Sequence, residues 1–208
     1  MSCYNSKYLG VIIDSKLNWK EQIKAVCKKS NAVLAFLKRN LLNSPRYIKE
    51  CAFKALVKPI LEYGGCVWDP HLKVQVKELE RVHKNAARYV TNNYSFIGGS
   101  TVINMKKLNW IPLEEYRARQ KITTFYKGLN KLIEIPIHQY ARIHNQRKTR
   151  QSENQGYHIP NSIVNSHLHS FFPSTIRLWN RLPITIKNSK NLEAFKTSIA
   201  EITIKSRY

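Results

Sequence analysis

The chain has 208 residues, of which 35 are Lys or Arg and 13 are Asp or Glu, for a formal net charge of +22. Hydrophobic residues make up 43% and aromatics 11%, enough apolar surface to build a core and to exclude wholesale disorder. So lopsided a charge excludes an average metabolic enzyme as the default reading and favours a polyanionic partner, RNA or DNA ahead of an anionic membrane surface.

Tyr8–Ile13 (YLGVII) reads as a short β strand ending at the turn signal Asp14-Ser15, with no pairing partner expected nearby. Asn18 and Glu21 have capping-box spacing ahead of a helix. In it Ile23, Val26, Ser30, Val33, Leu34, Leu37 and Leu41 recur every three or four residues. Ser44 as N-cap and Pro45 at the first helical position open a second helix, with Ile48, Cys51, Ala52, Ala55 and Leu56 as its apolar side. Pro59 is expected to bend or end it, and Gly64-Gly65 to stop it. Asp69-Pro70 reads as the start of a third helix, with one stripe of Leu72, Val76, Leu79, Val82, Ala86 and Val90. Three amphipathic helices with short connections close a small bundle.

Residues 92–109 are polar and read as a loop with room for a short helix; a further helix follows Pro112, burying Leu113, Tyr116, Ile122, Phe125, Tyr126 and Leu129. From Ile135 to His169 the helical period fades and basic and imidazole side chains take over. The aromatic, Pro-bounded SFFPSTIRLWNRLP (170–183) follows, then a short helix near Leu192–Ile202. The fold class is therefore mainly α, with a short N-terminal strand and a basic, irregular-plus-helical C-terminal region. The expected boundaries are 1–14 (strand), 15–92 (bundle), 93–134 (linker and helix) and 135–208 (basic region).

No window of 18 apolar residues marks a transmembrane helix, and no cleavage signal marks a secretory peptide, so a nuclear or cytoplasmic location is expected. Cysteines at 3, 27, 51 and 66 are sparse and form no CxxC pair, which suits free thiols better than disulfides or thiolate zinc. Neither GxGxxG nor a P-loop is present, and Gly98-Gly99-Ser100-Thr101 lacks the further Gly and Lys of a phosphate-cradling loop. Two-metal phosphoryl transfer needs clustered carboxylates; the two aspartates, Asp14 and Asp69, sit at a strand end and a helix start. His167-x-His169 would put two imidazoles on one strand face, without a neighbouring acid or Cys to complete a metal shell. No cofactor is expected.

The strongest interaction signal is the tract Arg142–Gln151, where Arg142, Arg147, Lys148 and Arg150 would neutralise phosphates while Asn and Gln add hydrogen bonds. Glu153 is the one acid between Glu134 and Glu193. Lys28, Lys29, Lys77 and Lys84 on the helices serve either solubility or backbone contact. Phe171 and Phe172, with Arg177 and Arg181 close behind, suit base stacking or packing; Trp19, Trp68, Trp110 and Trp179 suit packing.

Several strings stand in one family order: KYLGVIIDSKLNW (7–19), FKALVKPILEYGGCVWDP (53–70), LERVHKNAARYV (79–90), LNWIPLEEYRARQKITTFYKGLN (108–130) and SFFPSTIRLWNRLP (170–183). Together they resemble the part of non-LTR (LINE-type) retrotransposon reverse transcriptases, of the Jockey and CR1-like groups, that lies downstream of the catalytic palm. The resemblance implies that Tyr8, Leu9 and Gly10 match the Tyr/Phe-Leu-Gly block of the primer-grip region. It implies a thumb for the helices that follow, holding template–primer, and nucleic-acid contact for the basic C-terminal region. The palm aspartate and the (Y/F)xDD motif of that family lie upstream of the YLG block, and this chain has no DD pair. Nor do its four cysteines build the CCHC knuckle of some relatives. The expectation is a fragment of a longer polyprotein, not an enzyme as an isolated chain, with RNA or DNA and the absent upstream polymerase segments as partners. The alternatives are a protein-interaction module whose helices 20–42 and 70–92 expose apolar stripes, or a chain credited with the full-length enzyme's polymerase activity.

Overall fold

The YLG block is the tip of a hairpin. In the computed structural model, which describes residues 5–95, 99–143 and 156–204, β1 (Asn5–Tyr8) pairs antiparallel with β2 (Val11–Asp14), Tyr8 facing Val11 and Asn5 facing Asp14. The expected single strand over 8–13 without a nearby partner is therefore corrected. The run spans the end of one strand, a two-residue turn and most of the next, and residues 5–8 supply the pairing. Leu9 (φ 44°) and Gly10 (φ 83°) both take positive φ, as the commonest tight hairpin turn requires. The hairpin is anchored: Val11 is buried, Ile12 N–H donates to Gln22 Oε1 at 2.9 Å, and Tyr63 Oη donates to the Leu9 carbonyl at 2.8 Å.

The chain divides into two compact units, Met1–Glu114 and Glu115–Tyr208. In the first, α1 (Lys20–Asn40) and α4 (Lys73–Thr91) pack side by side, with a helical segment between them made of α2 (Arg46–Ala52), a π turn (Phe53–Val57) and α3 (Lys58–Glu62). Near one end Gln75 Nε2 donates to Asn18 Oδ1 (3.3 Å), and near the other Tyr89 Oη donates to the Leu37 carbonyl (3.1 Å). The two long helices thus run in the same direction, as an up-down-up bundle demands. Their apolar stripes, including Ile23, Leu34 and Leu37 on α1 and Leu79, Val82 and Ala86 on α4, form one core. They are not the exposed interaction faces of the alternative reading.

Three expected starts shift. Asn18 makes an Asx-type contact to Lys20 N–H (3.3 Å) while Trp19 is the N-cap and Glu21 pairs with Lys24, so no capping box forms. Pro45, not Ser44, caps α2; and α4 begins at Lys73, after Asp69-Pro70. The buried face of the second helix is also corrected. Cys51, Ala55 and Leu56 are exposed, whereas Lys49, Phe53, Val57 and Leu61 are buried. Steps of four drift around an α-helix, and the wider π turn takes up that drift just before Pro59, which has no N–H to donate. The helix ends at Glu62. Gly64 has φ +66°, and a Cβ there would sit 3.3 Å from both Trp68 Nε1 and Val11 Cγ2.

Asn92 closes α4 in the left-handed region, and α5 (Ser100–Lys107) is the short helix for which the polar stretch left room. Asn93 and Asn104 join it to α4 through an amide–amide bond of 3.0 Å and a second bond to the Asn93 carbonyl. Trp110 stacks against Phe53 (4.3 Å) and His83 (5.1 Å, 2°), whose own ring centres are 5.9 Å apart, while Trp68 is fully buried.

Helix α6 (Leu113–Leu129) supplies Ile122, Phe125 and Tyr126 to the core of the second unit. Around them lie α7 (Ile137–Tyr140), α8 (Asn165–Leu168), α9 (Phe171–Asn180), α10 (Ile184–Lys187) and α11 (Leu192–Glu201). Phe125, Trp179, Phe195 and Tyr126 form a contiguous aromatic group. Asn191 caps α11 by accepting from Ala194 N–H at 2.8 Å. The segment at Tyr157 is clamped to α9 by Asn180, whose amide bonds the Tyr157 N–H (2.9 Å) and carbonyl (2.8 Å). The protein is mainly α-helical, with a short two-stranded N-terminal sheet and a helical C-terminal region. Among the described residues, no helix is long and apolar enough to cross a membrane.

Candidate nucleic-acid interface

Helix α4 sorts its side chains by angle. At about 100° per residue, Lys73, Lys77, Arg81, Lys84 and Arg88 fall within an arc of about 80° and extend over about 22 Å. The buried Val76, Leu79, Val82, Ala86 and Val90 lie on the other side. The first four bases are exposed and Arg88 is half-buried, donating to Thr101 Oγ1 at 3.2 Å. Among the described residues no ion pair engages Lys73, Lys77, Arg81 or Lys84. This is a run of cations at one-turn spacing, held by a helix whose opposite face is fixed in the core.

The sequence-derived residues distribute as follows. Lys77 and Lys84 belong to this row, while Lys28 and Lys29 are exposed on α1. Tyr8 and Leu9, 67% and 73% exposed, project with Gly10 at the hairpin tip. Arg142 is exposed beside the isolated bridge Ile143–Tyr157, its carbonyl accepting from His158 N–H at 2.8 Å. Arg147, Lys148 and Arg150 lie outside the described residues. Arg177 Nη2 donates to the Leu168 carbonyl at 2.9 Å, tying α8 to α9, and Arg181 is exposed just past α9.

Sequence reading missed Lys73, Arg81 and Arg88, although their spacing of eight and then seven residues, filled in by Lys77 and Lys84, was available as a signal. Among the described residues, three cations that the sequence does not single out are buried. Lys49 is only 5% exposed, with Nζ 5.4 Å from the centre of the Tyr89 ring; Arg117 and Lys121 on α6 are also buried, and Lys121 Nζ donates to Ser174 Oγ at 3.0 Å.

His167 lies on α8 with His169 just beyond it, so the pair does not share the strand face expected of it. Among the described residues no group of three His, Cys, Asp or Glu side chains could hold a metal ion. The carboxylates have local partners. Burial raises the Glu50 carboxyl, but hydrogen bonding and attraction from Lys54, with Trp110 N–H and Arg46, bring it net below its ordinary value. Glu115 accepts from Arg119 at 2.7 Å, and Glu80 accepts from Glu114 N–H at 3.1 Å. Cys27, Cys51 and Cys66 are free thiols.

No family model matches the chain, and none was found to match among curated proteins or solved structures.

Proposed function

We propose that the chain is a nucleic-acid-holding part of a non-LTR retrotransposon reverse transcriptase, downstream of its palm, with α4 tracking a phosphate backbone. The observation that carries the reading is the row of Lys73, Lys77, Arg81 and Lys84, exposed on α4 and engaged by no ion pair among the described residues. The net charge of +22 and the family order of the sequence strings support it. Cations repeating each turn neutralise successive phosphates and release condensed counterions, which gives tight but weakly sequence-specific binding. The chain holds RNA or DNA and does not itself extend a primer, because the family's palm carboxylates have no counterpart in its sequence.

Fluorescence anisotropy with a short duplex over a salt series tests the electrostatic part. Affinity falls steeply with salt, and replacing Lys77 and Lys84 by Gln lowers the log–log slope by about 2, near 0.9 per lost duplex phosphate contact. Salt-independent affinity overturns the backbone-tracking mechanism. A primer-extension assay on the isolated chain with Mg²⁺ gives no product; robust extension overturns the non-catalytic assignment.

A further inference from the structure

The second unit holds a cleft of about 470 Å³ between α7, the segment after Tyr157 and the α8–α9 turn. That volume lies within the range of small-ligand sites. Its wall brings together two kinds of group that the sequence keeps apart. Tyr140 stacks on Phe172, with ring centres 4.4 Å apart and planes at 18°, and Phe171 meets Phe172 edge-on at 5.2 Å. Tyr140 remains 50% exposed, and it lines the cleft together with Phe172. Arg142, His158 and His167 line the same cleft.

These groups are positioned from the backbone. His158 N–H donates to the Arg142 carbonyl, which sets the two residues side by side, and Asn180 clamps the neighbouring Tyr157 to α9. The His167 ring is 2.8 Å from Ser162 Oγ through Nδ1, which leaves Nε2 to meet a ligand. Ser170 Oγ donates to the His167 carbonyl at 2.7 Å and fixes the start of α9 against it. Among the described residues between 135 and 192, Arg142, Arg177, Arg181, Lys187 and Lys190 are basic and none is acidic. The local field therefore favours an anion.

We propose that this cleft binds one unstacked nucleotide of a single-stranded RNA or DNA, its base on Tyr140–Phe172 and its phosphate on Arg142, His158 and His167. Every base has a π face, so a stacking site is tolerant of sequence, and only a base freed from its duplex partner reaches it. The assignment rests on the nucleic-acid reading above and adds a division of labour: α4 holds backbone of any kind, whereas the cleft selects single strands.

The test uses the full chain with a fluorescent single-stranded oligonucleotide and, in parallel, a duplex of the same length. Tyr140→Leu, which keeps apolar bulk without a ring, and separately Arg142→Gln each weaken single-strand binding about tenfold or more, the loss expected of one stacked base or one phosphate contact. Duplex binding stays within twofold. Tyr140 and Arg142 are both exposed, and circular dichroism confirms that each variant folds. A photoreactive thiouridine in the oligonucleotide crosslinks to the Tyr140 or Phe172 peptide. Unchanged single-strand affinity in both variants, with duplex binding intact, overturns the cleft and leaves the α4 reading standing. No binding of either probe at low salt overturns both. Equal displacement of the oligonucleotide by inorganic phosphate and by a nucleoside monophosphate gives the rings no part and overturns it as well.

Discussion

Leu9 occupies a backbone conformation that an L side chain adopts at a cost. Its φ of 44° puts it in the left-handed region, where the Cβ crowds the following carbonyl by about 1–2 kcal/mol, and its side chain is exposed rather than packed. Asn at the first of two positive-φ turn positions relieves most of that strain, and Gly10 already fills the second. Leu9→Asn is therefore expected to stabilise the protein by about 1 kcal/mol, read as a melting temperature higher by about 2–4 °C. A lower melting temperature would mean that the exposed Leu9 side chain contributes to the native state. Cys27 makes the opposite kind of prediction, about reactivity. Burial, followed by the nearby Glu78 carboxylate, pushes its thiol up to about 11 against the opposing pull of Arg81. Only the thiolate alkylates, so at pH 8 Cys27 carries about a hundredfold less reactive form than a thiol of ordinary pKa. Peptide mapping after brief iodoacetamide treatment should find Cys27 largely unmodified in the native protein and modified after denaturation. The same shift implies a stability contribution that is full below the unfolded thiol's pKa and is lost as pH rises through about 11.

Helices were legible where period and burial agree. Val76, Leu79, Val82, Ala86 and Val90 repeat at α-helical spacing and all five are buried on α4. The second helix was misread because Lys49, Phe53, Val57 and Leu61 repeat every four residues, a period that a regular α-helix does not keep on one face. Only the π turn before Pro59 makes those four neighbours. The hairpin was misread for a different reason: Leu-Gly lacks the Asn or Asp that marks a tight turn, and Asn5–Tyr8 is too polar to stand out as a strand. Of the candidate site, the α4 row is written in its spacing. Tyr140, His158 and Phe172 come from three separate segments, and no local pattern links them. Element packing also gives Gly128 a role that its position inside a helix conceals. A Cβ at Gly128 would lie 2.6 Å from Ile137 Cγ1 and 2.8 Å from its Cδ1, so α6 and the start of α7 meet where only hydrogen fits. Gly128→Ala gains about 1 kcal/mol of helix propensity and meets an overpacking cost of about 1–3 kcal/mol. The balance is destabilising. Adding Ile137→Val, which removes the Cδ1 contact, should recover part of the loss in a double-mutant cycle of denaturation midpoints; additive effects would show that the two residues do not press on each other.

For the whole molecule, charge acts on folding and on binding with opposite sign. Thirty-five cations against thirteen acids repel one another in the folded state more than in the expanded chain, and among the pairs that offset this Lys24–Glu21 and Lys196–Glu193 are exposed helix neighbours. Exposed pairs of that kind contribute little. Raising ionic strength shortens the screening length to about 8 Å at physiological salt and relieves the repulsion. The free protein should therefore melt at a higher temperature as salt rises from low to physiological. Nucleic acid reverses the trend. A bound polyanion at about a hundred times its dissociation constant stabilises the native state by about 2.7 kcal/mol, and salt removes that contribution by weakening binding. Melting curves in a salt series, with and without a short oligonucleotide, should start far apart and converge, the free protein rising as the complex falls. Two parallel curves would mean that the oligonucleotide is held by contacts other than charge. A free protein that loses stability as salt rises would mean that attraction among its charges outweighs the repulsion implied by +22.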